Sequence, residues 1–203
     1  VTRPGRLLAL LAGAVLMAGC TSTPESPIVG EAKVSVDSPD LRQAKKQAGV
    51  EDCPAVTAGA VDGGLPDVTL PCLGGGRDVD MAGLRGPMMI NFWAATCGPC
   101  REEMPALEDF HQRYGDQVPI IGVDYLDVLP VMAMELVRKT GVTYPLVADP
   151  GGDLGADGTL RLMGLPHFVL IDADGKVVYE TDGGFDSVDQ LVQLVDEHLG
   201  VEL

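Results

Sequence analysis

Cys97 and Cys100, in the run Asn91-Phe92-Trp93-Ala94-Ala95-Thr96-Cys97-Gly98-Pro99-Cys100, have the spacing of a reversible disulfide. Redox exchange is therefore the leading chemistry for this chain. The apolar run from Met88 to Trp93 predicts a buried strand, and the polar run from Arg101 to Arg113 predicts a helix. The cysteines thus fall where strand becomes helix. At a helix N-terminus, unpaired backbone N–H groups and the positive end of the macrodipole stabilise an anion and lower a thiol pKa from about 8.5 toward roughly 3.5–7.5. Cys97 is expected to be a thiolate at neutral pH.

The remaining cysteines divide by position. Arg3 and Arg6, an apolar stretch from Leu7 to Met17 and the closing Met17-Ala18-Gly19-Cys20 read as an export signal over residues 1–19. The apolar run is short for a membrane span, and small residues stand before the cysteine. Ending at a cysteine, it resembles a bacterial lipoprotein lipobox, from which it departs at Met17, where Leu is more usual. Cleavage there makes Cys20 the first mature residue and an acylation site. Two or more acyl chains anchor stably, at about 0.8 kcal/mol per buried CH₂. The alternative is an ordinary cleaved signal with free release. Without residues 1–19 the chain carries 12 basic and 30 acidic residues, a formal charge of −18, which makes nucleic acid an improbable partner and leaves the tether to hold the protein to a membrane. Cys53 and Cys72 flank a turn-rich segment, and an exported compartment permits them to bridge. Closing a loop of about 20 residues is worth roughly 3 kcal/mol. They read as a structural disulfide, against a second redox relay or a zinc site of four sulfurs; zinc ligands usually come as two close pairs, and only one pair is close.

Residues 20–50 read as a flexible tether, rich in Ser, Thr and Pro to about residue 37, with a possible short helix from Asp40 to Ala48 ended by Gly49. Residues 51–203 suit one domain. Val68 to Leu70 and Arg77 to Met81 predict a hairpin across Gly74-Gly75-Gly76, which lacks the Lys-Ser/Thr of a phosphate-binding loop. A helix from Cys97 to about Arg113 follows the first central strand. Next come a strand from Pro119 to Val123, a helix from about Leu129 to Thr140, a strand from Tyr144 to Ala148 and a short helix around Gly158 to Met163. Two strands, His167 to Ile171 and Val177 to Thr181, flank the hairpin signal Asp172-Ala173-Asp174-Gly175. A last amphipathic helix runs from the N-cap Ser187 to Leu199. This order makes an α/β fold, a thioredoxin-like three-layer sandwich with a central mixed sheet and an N-terminal β-hairpin extension.

The residues Phe92 to Pro105, with Gly164-Leu165-Pro166 and Ile171 to Lys176 downstream, resemble the TlpA/ResA-like thioredoxin-fold family over roughly residues 64 to 200. The resemblance implies an exported or membrane-anchored thiol:disulfide oxidoreductase without a cofactor or metal, reducing partner proteins in processes such as cytochrome c maturation and drawing on a membrane electron donor. It places Cys97 as nucleophile and Cys100, one turn inward, as resolving thiol. Glu103 shares a helix face with Cys100 and matches a buried glutamate that tunes the thiols. Pro105 is expected to bend the helix. Pro166 matches the proline held in cis opposite the cysteine loop, with Leu165 offering backbone groups to an extended substrate. Gly98, Pro99 and Trp93 complete the substrate-facing set, Trp93 equally suiting plain core packing. His167 reads as a strand residue, and His111 and His198 as helix residues without ligand partners.

Two other classes remain. A thiol-dependent peroxidase of peroxiredoxin type shares the fold, and Thr96 before Cys97 suits it, but the close Cys100 favours disulfide exchange. A non-enzymatic escort of haem or metal would use the same cysteines, although no His follows Cys100 as haem attachment requires.

Overall fold

A computed structural model describes residues 34–203 of the chain; the export signal, Cys20 and most of the spacer lie outside the described residues. Helix α1 (Pro39–Ala48) starts at the cap Ser38, whose hydroxyl accepts the Leu41 N–H, and ends at Gly49 in the left-handed region (φ 76°). Strands β1 (Thr69–Leu70) and β2 (Val79–Asp80) form the antiparallel hairpin expected before the main fold.

The central sheet contains β3 (Met88–Trp93), β4 (Ile120–Tyr125), β5 (Leu146–Asp149), β6 (His167–Ile171) and β7 (Val177–Asp182) in the order β5-β4-β3-β6-β7. β3, β4 and β5 run parallel, while β6 lies antiparallel to β3 and β7 antiparallel to β6. Every residue of β3 is buried, which explains why all but Asn91 are apolar, since a central strand covered on both faces needs no polar alternation.

The two faces of the sheet bury different partners. Met89, Trp93, Ile120, Leu146 and Phe168 point toward helices α2 (Gly98–Tyr114), α3 (Pro130–Thr140) and α4 (Val188–Leu199), and also meet α1. Ile90, Phe92, Val123, Val147 and Val169 face the hairpin, the Cys53–Cys72 region and the segment around Leu154 and Leu160. Helix and irregular layers thus sandwich the sheet. The edge of β5 is covered by residues 71–73: Ala148 donates to the Pro71 carbonyl and Leu73 to the Leu146 carbonyl, each at 2.9 Å. This pairing closes an otherwise open strand edge.

Two local expectations are corrected. No helix spans Gly158 to Met163; a single 3₁₀ turn forms upstream at Asp153–Gly155. The Asp149 carboxylate takes the N–H groups of Asp153 and Leu154 and so nucleates the turn there, while Gly158 adopts a left-handed φ of 74° that no helix continues. The third parallel strand begins at Leu146, after Pro145, which has no N–H to give to a ladder. Helix α2 continues through Pro105 to Tyr114.

Gly122 in β4 sets the seat of the one tryptophan. A Cβ there would lie 2.6 Å from Leu146 Cδ2, 3.0 Å from Trp93 Nε1 and 3.1 Å from Tyr144 Cε2. Gly122→Ala is therefore expected to destabilise the fold by about 1–3 kcal/mol through overpacking, measurable as a lowered midpoint in denaturant with an unchanged slope.

Candidate active site

After Trp93 the chain turns through Ala94, Ala95 and Thr96 into α2. Cys97 caps the helix in an extended conformation (φ −76°, ψ 112°), and its Sγ accepts the Cys100 N–H at 3.1 Å. Cys97 and Cys100 are joined as a disulfide. Cys97 is half-buried beside exposed Thr96, Gly98 and Pro99, whereas Cys100 is fully buried. A partner sulfur can therefore reach the bond at Cys97, and attack there expels the Cys100 sulfur into the helix-covered interior, as the first-nucleophile, second-resolver assignment requires.

Three later segments fix this turn and its surroundings. Asp127, in the loop after β4, accepts the Ala95 N–H on Oδ2 and the Leu129 N–H on Oδ1, each at 2.7 Å. The Leu165–Pro166 peptide is cis and opens β6, whose first pair in the ladder with β3 is His167 opposite Phe92. The Pro166 carbonyl accepts the Gly183 N–H at 2.9 Å. Leu165 is half-buried and packs against the clusters on both faces of the sheet.

Glu103 is 1% exposed and accepts the Asn91 side-chain N–H on Oε1 at 2.9 Å; Oε2 has no side-chain partner among the described residues, and the Phe185 backbone also hydrogen-bonds the carboxyl. A Cβ on Gly184 would lie 3.0 Å from that Oε2 and 3.6 Å from Pro166 Cγ, so the carboxyl, the proline ring and the Gly184 backbone converge. Burial pushes the Glu103 carboxyl up to about 8, opposed by the Asn91 hydrogen bond and reinforced by the charge of Asp186. A carboxyl so placed, three residues past Cys100 on one helix face, can hold a proton at neutral pH and exchange it with the inward sulfur.

Trp93 requires correction as a substrate contact. It is fully buried and packs in the helix-side core, so it supports the turn from beneath and presents no surface to a partner. His167 is a buried strand residue, as expected, with Nδ1 2.7 Å from Asp182 Oδ1. His111 approaches Glu51 at 3.1 Å, and His198 stacks on Tyr179 with ring centroids 3.6 Å apart. Cys53 and Cys72 are joined to each other, which ties up all four cysteines of the described residues in two bonds.

Sequence reasoning missed Asn91, Asp127 and Asp124. Asn91 is a polar residue inside an apolar strand, a signal that could have marked it. Asp124 stands opposite Trp93 in the ladder, 1% exposed, with its carboxyl set against that of Asp127. Burial pushes its carboxyl up to about 9, and the charge of Asp127 adds to this. Also unforeseen is an apolar rim: Leu126, Val128, Leu129, Val131 and Met132 after β4, and Met163 before the cis proline, are all exposed.

The Redoxin family profile matches residues 60–195. Thiol-disulfide oxidoreductase ResA of Bacillus thuringiensis subsp. konkukian is 29% identical over 126 residues, which span 61% of this chain and 68% of that protein. Among solved structures, one assigned as a protein disulfide isomerase from Bacteroides thetaiotaomicron superposes with a TM-score of 0.56 at 34% identity, covering 73% of this chain and 96% of that one. Another, assigned as the thiol:disulfide interchange protein DsbE of Chlorobium tepidum, gives 0.57 at 26% identity, covering 72% and 100%.

The buried carboxyl has a measurable linkage to folding. Below about 4.5, the ordinary glutamate value, the folded and unfolded forms are both protonated; between there and about 8 only the unfolded chain gives up its proton. Wild-type stability therefore falls as pH rises through that window. In Glu103→Gln, which keeps the acceptor for Asn91, this loss is absent. Urea unfolding of the oxidised proteins should show equal stability at low pH and a growing advantage for the variant toward about pH 8.

Proposed function

The chain belongs to the Redoxin family and is a thioredoxin-fold thiol:disulfide oxidoreductase, and from that premise we propose that it is an exported, membrane-anchored reductase of protein disulfides. The observation that carries this reading is the disulfide at the α2 N-terminus, open at Cys97 and closed at Cys100 over a buried, proton-holding Glu103.

The cycle follows from that asymmetry. In the reduced enzyme the Cys97 thiolate, stabilised by the helix end, attacks one sulfur of a partner disulfide and releases the other as a thiolate. Cys100 gives its proton to the Glu103 carboxylate and attacks Cys97, which frees the second partner sulfur as a thiolate, protonated from water, and closes Cys97–Cys100. An electron-donating dithiol then attacks Cys97; Cys100 leaves as a thiolate and takes the proton back from Glu103. The donor becomes a disulfide and the enzyme a dithiol, so two electrons pass through the site in each turn.

Polypeptide partners suit the surroundings. A mixed disulfide holds the partner chain within a few residues' reach of Cys97, where the exposed rim of Leu126, Val128, Leu129 and Met163 offers apolar surface on a strongly acidic protein. Cis Pro166 and half-buried Leu165 flank the same end of the sheet and can pair with an extended segment. Acylation at Cys20 would keep this face outside the cell membrane within reach of a membrane electron donor. The resemblance to the TlpA/ResA-like family extends the substrate class to cysteine pairs awaiting haem in cytochrome c maturation.

In an insulin-disulfide turnover assay Cys97→Ser is expected to fall to the uncatalysed rate, and full activity in that variant would refute the reading. Cys100→Ser should accumulate a mixed disulfide to Cys97 that intact mass resolves. Glu103→Gln should slow re-reduction of the enzyme by about 100-fold, the loss of a general acid. The anchor is tested separately: Cys20→Ser should move the protein from the membrane fraction to the soluble one, and an unmodified mass at wild-type Cys20 would remove the tether.

A further inference from the structure

Away from this site, Lys45 on α1 is 5% exposed, and its Nζ donates to the Gly75 carbonyl at 3.0 Å and lies 3.2 Å from Cys72 Sγ. The glycine run that serves no phosphate makes room for it. A Cβ on Gly74 would come within 2.8 Å of Lys45 Cβ, and one on Gly76 would lie 3.5 Å from Cys72 Sγ and 3.6 Å from Lys45 Nζ. All three glycines have positive φ, from 75° to 128°.

The charge of Lys45 is poorly compensated. Its nearest carboxylate, Asp52, is 3.7 Å away on a side chain 97% exposed, an ion pair that water screens. A disulfide sulfur is only a weak acceptor, whereas a thiolate in the same position is a full counterion for a buried ammonium. The other sulfur is equally placed for reduction: Cys53 Sγ lies 3.2 Å from the Leu146 carbonyl, which a thiol there can donate to. Both sulfurs thus stand beside groups that stabilise the open, reduced pair.

We propose that Cys53–Cys72 is a second exchangeable disulfide, in which a small dithiol attacks Cys53 and Cys72 leaves as a thiolate onto Lys45. Both sulfurs are buried, Cys53 at 3% and Cys72 at 1% exposed, so attack requires a local opening, and this favours Cys53, whose chain neighbours Asp52 and Pro54 line a cleft with Met88, His111 and Pro119. The dithiol loses one proton and its thiolate bonds to Cys53 Sγ as the Cys53–Cys72 bond breaks. Its second thiol then closes the reagent's own disulfide, and its proton goes to Cys53. The products are an oxidised reagent, Cys72 thiolate, Cys53 thiol and one released proton; two electrons have moved. The charged groups that face this pair are Asp52, the Asp37–Arg42 ion pair beside Gly75, whose Asp37 also feels the charge of Lys45, and Glu51, His111, Arg113 and Asp116 in the cleft. Helix α3 contributes Met134, and strand β5 contributes Val147 and the Leu146 carbonyl, none of them charged.

The full chain is equilibrated in reduced and oxidised dithiothreitol mixtures across a pH series, free thiols are trapped with a maleimide, and each cysteine peptide is quantified by mass. Lys45→Met should need about a tenfold higher ratio of reduced to oxidised reagent to open Cys53–Cys72, equivalent to about 30 mV, and Lys45→Arg should stay near wild type. Near neutral pH the wild-type bond should take up one proton per two electrons, and the Lys45→Met bond two. Equal ratios in wild type and Lys45→Met would overturn the proposal. A wild-type uptake of two protons would do so whether or not the variant folds. The Cys97 and Cys100 peptides in the same map report the first site independently.

Discussion

The hydrogen bond from the Ala95 N–H to the Asp127 carboxylate, 2.7 Å long, decides where the reactive sulfur stands. β3 is buried along its whole length and cannot shift without exposing apolar surface, so its end is fixed in space. The three residues between that end and the α2 cap are the only slack, and Asp127 removes it by satisfying an amide that would otherwise be buried unpaired. The same carboxylate takes the Leu129 N–H, so the turn before Cys97 and the approach to α3 share one anchor.

That anchor also explains the apolar rim. Turning Asp127 inward forces its neighbours Leu126, Val128 and Leu129 outward, the reverse of an ordinary loop, and Leu126 adopts a left-handed φ of 52° to do so. Such a backbone costs of order 1–3 kcal/mol for a non-glycine residue. Apolar exposure and backbone strain thus coincide in one loop, at the end of the sheet where the disulfide opens. The parallel pairing of β3 with β4 puts that loop beside the cysteines, so partner-facing surface and reactive bond arise from a single topological fact.

How much of this was legible follows from the range of the interactions. β3 was read to the residue because a doubly covered strand writes itself as an apolar run, here broken only by Asn91. The end of α1 and the start of α4 were visible because Gly49 and Ser187 act on backbone groups a few residues away. Glu103 could be placed beside Cys100 by helix spacing alone. By contrast, the Asn91 partner of Glu103 is 12 residues distant, the Asp127 partner of Ala95 is 32 away, and Lys45 meets Cys72 across 27. No local pattern marks such pairs. The misplaced helix near Gly158 failed for the same reason in reverse, because the carboxylate that nucleates a turn at Asp153 belongs to the preceding strand.

Two buried ionisable groups of opposite sign give the two disulfides different chemistry. Glu103 lacks a cation, so its interior favours the neutral, protonated form, and the inward sulfur of the first pair finds a proton at hand whenever it becomes a thiolate. Lys45 lacks a close buried anion, so its surroundings favour whatever neighbour can become one, and the neighbour is a sulfur. The first arrangement returns Cys100 to a neutral thiol after each exchange and keeps its charge transient. The second holds Cys72 charged once opened. Low dielectric sharpens both effects, since each charge left without a partner is most costly where water is absent. On the two proposals above, the fold pairs a site that cycles with one whose reduced state is favoured, using the same element of chemistry and opposite counter-charges.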